Sequence, residues 1–520
     1  MARRIYLIIM KTFLQLIFGL LISISGVAQT YFNNQYSYTT SQSLDFSNDI
    51  LQNDGGYIIP GGFDYLDTLS YNKIGILKTD SFGDELSSNI FGNGENTFSW
   101  NISYRQGSFS MDKNGTGYYS VGMKRKYGIP NPVGVADYGV IYRFDLNLDT
   151  LWTVSIGDKV GTIDSTYIFE HCSVLPNNEL IITGIVVIEG STSKALLIKT
   201  DSLGNELWRK YFYSGPLNQG INVIATPDGG FALSVWKWIF GPQPVSTPFL
   251  IKTDSAGNEQ WRKYFGGIWH DGPMYLVNSP DSTIIGAYYY SDTMDYDQSY
   301  NRDAIVKMGL DGSMVWEKKY GESIYDKRNS SVNISTDGKI ILCGYVDSPF
   351  PHRVGYLLNV SSDGDSLWYR EYEKVSGQYD ANYLYAVIPT DDGGYAASGM
   401  VHTDYDQDIW VLKLDSLGCE SFDYCWTSLP GVISVEKPGE LQVYPSPATG
   451  HCTISVPKQN HFETYTLFIY NLMGVKMEEL VVPSGIMQLE INLSGYVPGL
   501  YSVVSTYKGS ITGRGKFVVY

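Results

Sequence analysis

LIKTDSLGNELWRKYF spans Leu197–Phe212, and LIKTDSAGNEQWRKYF spans Leu250–Phe265. A chain that writes one sixteen-residue pattern twice is building one structural unit repeatedly, so the period of the pattern decides the fold. Looser copies begin at Ile76 (ILKTDSFGDEL), Ile141 (IYRFDLNLDTLW), Ile305 (IVKMGLDGSMVW), Tyr356 (YLLNVSSDGDSLW) and Trp410 (WVLKLDSLGCE). A second signature precedes most copies: NDGGYIIPG at Asn53, PDGGFALSV at Pro227, TDGKIILCG at Thr336 and DDGGYAASG at Asp391. Together they define seven units. The aligned Trp152, Trp208, Trp261, Trp316 and Trp368 are 56, 53, 55 and 52 residues apart.

Each unit parses into four short strands. In the fourth unit these are Ile221–Thr226, Gly230–Val235, Phe249–Thr253 and Glu259–Phe265, rich in β-branched and aromatic residues and bounded by Gly, Asp, Asn and Pro. Asp-Gly-Gly joins the first pair and Asp-Ser-Xaa-Gly-Asn the second, so the recurring Asp and Gly are read as turn chemistry. Four strands repeated seven times, with no helical periodicity between them, predict an all-β chain with a seven-bladed β-propeller. The spare segment TYFNNQYSYTT at Thr30 is expected to supply the outer strand of the last blade and close the ring. Antiparallel order puts the short repeated turns on one face. The long divergent loops then share the other, where function is expected. They include Lys237–Pro248, Gly266–Pro273, Tyr288–Asp303, Val346–Arg353 and Val401–Asp408.

In the 520 residues only 18% are charged, 14% are aromatic and 42 are tyrosine, a globular composition. A net charge of −17 with no basic stripe argues against nucleic acid. Arg3, Arg4 and Lys11 before an apolar run ending in SGVAQT read as a signal peptide over residues 1–28. Nothing later is apolar for long enough to span a bilayer as a helix. Of five cysteines, Cys419 and Cys425 flank the ring closure and form either a local disulfide or two separate thiols. Cys172, Cys343 and Cys452 read as small core residues.

The repeats run through residues 29–426, a linker occupies 427–440, and 441–520 change character. Seven strand-like segments with turns about every ten residues predict a small immunoglobulin-like β-sandwich. Four stretches here carry a resemblance: VYPSPATG (Val443–Gly450), LFIYNLMGVKM (Leu467–Met477), INLSGYVPGLYSVV (Ile491–Val504) and GKFVVY (Gly515–Tyr520). They resemble the C-terminal sorting domain of type IX secretion cargo, through Tyr444, Pro445, Pro447, Gly474, Gly499 and Tyr501. Ser446 stands where that family usually has Asn, and Tyr520 ends the chain where Lys is common. The resemblance implies the type IX machinery as partner, passage through the outer membrane of a Gram-negative bacterium, and a cell-surface or secreted destination.

No nucleophile elbow, zincin helix, Walker loop or dinucleotide-binding glycine pattern occurs. Candidate ligand-binding residues are Trp238, Trp269, His270, Asp271, Tyr296 and Tyr405, where aromatic faces, an imidazole and a carboxylate share the divergent loops. Carboxylates gather at Asp292, Asp295, Asp297 and Asp303, and again at Asp404, Asp406 and Asp408. The second spacing matches the first half of a calcium loop, although Ile409 replaces the glycine an EF-hand requires, so calcium is a candidate ligand and no other cofactor is expected. The repeated tryptophans are assigned to packing between units. The function expected is an exported binding or adhesion module for a glycan or protein. The alternatives are a polysaccharide hydrolase or lyase using loop aspartates, and a structural spacer.

Overall fold

The computed structural model describes residues 30–520 apart from 39–44, 54, 65–71, 92–95, 100–108, 127–136, 158–164, 189–191, 240–244, 268–269, 292–300, 322–325, 348–351, 378, 404–405, 421–438, 456–464, 472–475, 484–487 and 508–509. The signal-peptide expectation therefore lies outside the described residues. The chain divides into two compact parts, Met1–Cys425 and Trp426–Tyr520.

The first part repeats a four-stranded antiparallel meander. The third unit comprises Thr166–Val174, Leu180–Ile188, Thr192–Thr200 and Glu206–Phe212, and the fourth Leu217–Ala225, Phe231–Ile239, Val245–Thr253 and Glu259–Tyr264. The fifth runs from Tyr275 to Tyr320 in the same order. The first and second (Phe46–Phe91 and Asn96–Ile156) follow it with the inner strand split into two pieces that pair one neighbour. An eight-stranded sheet holds the sixth unit, Lys327–Tyr372, and a last one, Ala381–Leu414. Their strands meet at one parallel bridge, Arg353 opposite Ala381. The outermost strand of the last unit is Phe32–Tyr36, antiparallel to Gln407–Leu414 with Phe32 opposite Lys413. That register is the one tryptophan holds elsewhere, as Trp208 opposite Lys199 and Trp261 opposite Lys252 show.

The reason is visible at the hairpin glycines. A Cβ on Gly204, Gly257, Gly312 or Gly418 would strike or crowd Trp152, Trp208, Trp261 or Trp368 of the preceding unit. On Gly83 of the first unit it would strike Phe32. Each of these glycines also has φ between 74° and 82° or at 84°, the left-handed region a side chain resists. One indole thus lies flat on the next hairpin, repeatedly, and Phe32 performs that task between the last unit and the first. Asn34 Nδ2 adds a 3.0 Å hydrogen bond to the Gly83 carbonyl.

The recurrent aspartates act as expected of turn residues. Asp80, Asp145, Asp201, Asp254 and Asp415 each accept two backbone N–H groups across their own hairpins. The Lys of the third strand then reaches the acid of the first turn: Lys252 to Asp228 at 2.8 Å, Lys307 to Asp281 at 2.7 Å and Lys413 to Asp392 at 2.7 Å. Burial alone would raise these carboxyls, but the lysine and turn donors outweigh it and hold all three below their usual range.

The second part folds separately. Ser510–Val519, Gly499–Tyr507, Tyr465–Asn471, Lys476–Val482 and short Gly439–Glu440 form one sheet. Gln442–Tyr444, His451–Ser455 and Gln488–Asn492 form the other, and both bury side chains in one core around Leu467, Ile454, Val503 and Phe517. Cys452 is a buried cysteine outside any disulfide, as Cys172 and Cys343 are in the first part. Cys419 is disulfide-bonded; Cys425, its proposed partner, lies outside the described residues.

Candidate functional site

On the face of the divergent loops, the second strand of the fourth unit ends in Trp236-Lys237-Trp238-Ile239. Alternation along a strand places Trp236 and Trp238 on one side, and their rings meet edge to face at 4.6 Å. Trp236 is buried and its Nε1 donates to the Asp271 carbonyl at 2.8 Å. Trp238 is half-buried, and among the described residues its indole N–H has no hydrogen-bond partner. The two rings wall a cleft of about 400 Å³ with Ile185, Val187, Leu217 and Gln219. His270 closes in on Trp238 at 5.8 Å between ring centroids. Its Nδ1 lies 3.4 Å from Ser246 Oγ, and desolvation lowers its pKa, favouring neutral imidazole.

Asp271 belongs to the scaffold beneath this cleft. It is fully buried, and its carboxylate accepts the N–H groups of Gly267 at 2.8 Å and Ser291 at 3.0 Å. Asn218 and Asn382 hold the same place in their own units. Asn218 Oδ1 accepts Ser214 N–H, and Asn382 Oδ1 accepts Lys374 and Val375 N–H, each pinning the connection that enters the unit. Sequence comparison misses this equivalence because an Asp and two Asn perform one task.

Trp269, Tyr296 and Tyr405 lie outside the described residues, as do Asp292, Asp295, Asp297 and Asp404. Asp303 and Asp408, read from the sequence as loop acids, instead sit inside third strands and are buried. Asp303 accepts Asn329 Nδ2 at 2.9 Å and Tyr356 Oη at 2.5 Å, and burial raises its pKa even with Lys327 nearby. Asp408 accepts Gln35 Nε2 at 2.6 Å from the N-terminal strand, while Asp406 accepts the Gln407 N–H at 3.0 Å. Among the described residues no group of three His, Cys, Asp or Glu is arranged to hold a metal.

A second cluster carries no sequence signature. In four units the inner strand skips one residue in its pairing, at Glu170, Ile221, Ser330 and Tyr385. Two positions earlier stand Ile168, Gln219, Arg328 and Tyr383, opposite Ile185, Trp236, Tyr345 and Met400. One register around the face thus passes from apolar and tryptophan-lined to tyrosine and arginine. Tyr345 and Tyr383 meet edge to face at 4.7 Å, with the Arg353 guanidinium 6.0 and 5.6 Å from their centroids. Arg328 lies 6.0 Å from the Tyr289 ring. Burial, together with its anionic and tyrosine neighbours, pushes the Tyr345 hydroxyl up to about 12, although Arg328 opposes the shift. Seeing this cluster requires the pairing register, which five separated segments of sequence do not reveal.

In the second part, Tyr501 is buried between Tyr496 and Phe517 and its Oη donates to the Val497 carbonyl at 2.8 Å. Tyr444 is exposed, and Ser446 Oγ accepts the Val518 N–H at 3.1 Å, tying the Tyr-Pro-Ser-Pro start to the terminal strand. Gly499 opens the strand leading to Tyr501; Pro445 and Pro447 bracket Ser446, and Gly474 lies outside the described residues.

Residues 442–520 match the family described as Secretion system C-terminal sorting domain. The second part is therefore the sorting domain of type IX secretion cargo, joined to a propeller-like part of β-sheets. It implies interaction with that secretion machinery and a secreted or cell-surface destination in a Gram-negative bacterium. Among the described residues no helix is long and apolar enough to cross a membrane. No curated relative matches the sequence. Among solved structures the chain is similar to a protein of unknown function from Dyadobacter fermentans, at 11% identity and TM-score 0.38, over 73% of this chain and 96% of that one. It is similar to the polysaccharide lyase Uly1 at 8% and 0.43, over 71% and 90%. It is also similar to Trypanosoma rangeli sialidase at 8% and 0.39, over 92% and 85%.

Proposed function

We propose that the repeated sheets are the seven blades of one closed propeller, and that its divergent-loop face binds an extracellular glycan after export. The observation that carries this reading is Trp238: a half-buried indole whose N–H has no partner among the described residues, at the edge of a cleft of about 400 Å³. Aromatic faces suit the C–H surface of a sugar ring, and a concave apolar site with few polar groups is the usual form of a ligand pocket. Gln219 supplies one such group at the wall; its Nε2 donates to Glu170, and its amide oxygen keeps acceptor capacity. The sorting domain acts as the export address and is removed or retained at the surface afterwards.

The test is a glycan array probed with the purified protein and with Trp238→Ala. Selective binding that drops at least tenfold in the variant, with its melting temperature unchanged, supports the reading. Undiminished binding by Trp238→Ala overturns it.

A further inference from the structure

We infer that the tyrosine–arginine cluster of the fifth, sixth and last units recognises the carboxylate of an acidic saccharide. This rests on the reading of the divergent-loop face as the glycan-binding face, and it names the ligand class.

Arg328 is held along one edge of its guanidinium, and Arg353 at two separate positions. Arg328 donates Nε and Nη2 to Asp326 at 3.1 and 2.7 Å, and Asp326 also accepts Asn301 Nδ2 at 2.5 Å. Arg353 donates Nε to Asp347 at 2.5 Å and Nη1 to the Tyr383 hydroxyl. Among the described residues, Arg328 Nη1 and Arg353 Nη2 have no protein partner. The arginine side chains remain 42% and 46% exposed, against 15% for Asp326 and 33% for Asp347, so each guanidinium reaches further into solvent than the acid that anchors it. A guanidinium fixed in this manner offers planar N–H donors already oriented, the arrangement that suits a carboxylate.

The rings beside them supply the rest of a saccharide site. Tyr345 stands directly opposite Arg328 across the strand pair, Tyr383 packs on Tyr345 from the last unit, and Tyr289 approaches from the fifth. A sugar ring resting on a tyrosine face would carry its carboxylate toward the free guanidinium edge. Ion pairing with Asp326 and Asp347 does not use up the cations for a ligand, because the acids are the less exposed partners and each guanidinium has donors to spare. The net charge of −17 opposes an acidic polymer only at long range, since exposed charges are screened over about 8 Å at physiological ionic strength. Within that distance the guanidiniums decide. Lys319, 3.1 Å from the centroid of the Tyr290 ring, adds a further cation on the same units.

The experiment titrates the purified full chain with soluble polygalacturonate and with its fully methyl-esterified form, which has the same backbone without charge. Arg353→Gln and Arg328→Gln are measured beside the wild type, with melting temperatures recorded. Arg353 is the decisive position, because its exposure leaves folding insensitive to the change. The expected result is binding of the free acid at least tenfold tighter than of the ester, weakening with added salt, and a loss of that preference in Arg353→Gln. Equal binding of both forms overturns the inference and leaves the glycan-binding reading standing. An undiminished acid preference in Arg353→Gln also overturns it. Binding of neither form by the wild type removes this inference, and glycan-array binding to other sugars then decides the broader reading separately.

Discussion

On the turn face, Asp201 and Asp254 accept the same two backbone N–H groups in consecutive units, and Lys252 and Lys413 reach the same turn acid from the same strand position. On the opposite face, Asp271 pins a connection, Asp303 is shared by an asparagine and a tyrosine, and Asp326 holds an arginine. The residue type is one and its tasks are many. Repetition at a fixed register marks scaffold, because every blade must close the same hairpin and meet the same neighbour. The converse fails at Asp271, which looks solitary in sequence yet does what Asn218 and Asn382 do. Position in the sheet, rather than residue identity, separates scaffold from site.

The sharpest way to break this comparison is to remove one repeated ion pair. Lys413 is 1% exposed at its side chain and Asp392 8%. Lys413→Ala strands a buried carboxylate, and a loss of about 3–5 kcal/mol is expected from chemical unfolding. The pair Lys318–Asp365, at 38% and 77% exposure, provides the solvent-exposed contrast. A loss under about 1 kcal/mol in Lys413→Ala would show that the turn-face lysines are not structural.

The hairpin glycines give the next largest effect. Gly257 has φ +76°, and an added Cβ would sit 2.6 Å from the Trp208 ring, so Gly257→Ala suffers both backbone strain and a clash. A cost of about 3 kcal/mol is expected. Gly393 has φ +79° with open space around it, so Gly393→Ala costs only the backbone part, about 1 kcal/mol. Equal melting temperatures for the two variants would mean that the indole does not lie on the hairpin.

These two examples show how much was legible in the sequence. The units, their four strands, the turn role of Asp and Gly, and the packing role of the tryptophans follow from local pattern, because turns and alternation are local chemistry. Phe32 shows where that ends. It does a tryptophan's work between the last unit and the first, and only its pairing opposite Lys413 and its contact with Gly83 reveal it. The candidate site was less legible still. Trp238 and His270 come from two different segments and meet, whereas Asp303 and Asp408 lie inside strands and are buried there, since burial depends on what the neighbouring unit places against them. Arg328, Tyr345, Arg353 and Tyr383 come from four strands of two units, and no sequence spacing joins them.

His171 sharpens the comparison in another way, since it stands in an inner strand and faces its neighbour's backbone. Val223 N–H points at its Nδ1 at 3.4 Å, and desolvation depresses its pKa to about 4. Above the unfolded value of about 6.5 both states are neutral and the residue contributes no pH dependence. Below it the unfolded chain takes up a proton that the folded chain refuses, so stability falls between about pH 6.5 and 4 and levels off beneath. The expected loss is about 2 kcal/mol, discounted for the part of the ring that reaches solvent. Urea midpoints at pH 7, 5.5 and 4.5 should show a slope that His171→Gln flattens; an unchanged slope would place the acid sensitivity elsewhere.

The smallest expected effect tests the same idea from its weak end. Lys318 also bonds to its neighbour, reaching Asp365 at 2.9 Å across the contact between the fifth and sixth units, but both ends stay in water. Attraction in high dielectric is modest and ordering the two side chains opposes it, so Lys318→Ala should cost less than about 1 kcal/mol. Added salt should erase the difference from wild type, since the exposed pair is screened and the Lys413 pair is not. A cost near that of Lys413→Ala would mean that contact between units, rather than burial within one, sets the worth of these lysines. The scaffold would then have to be read from its seams instead of from its repeats.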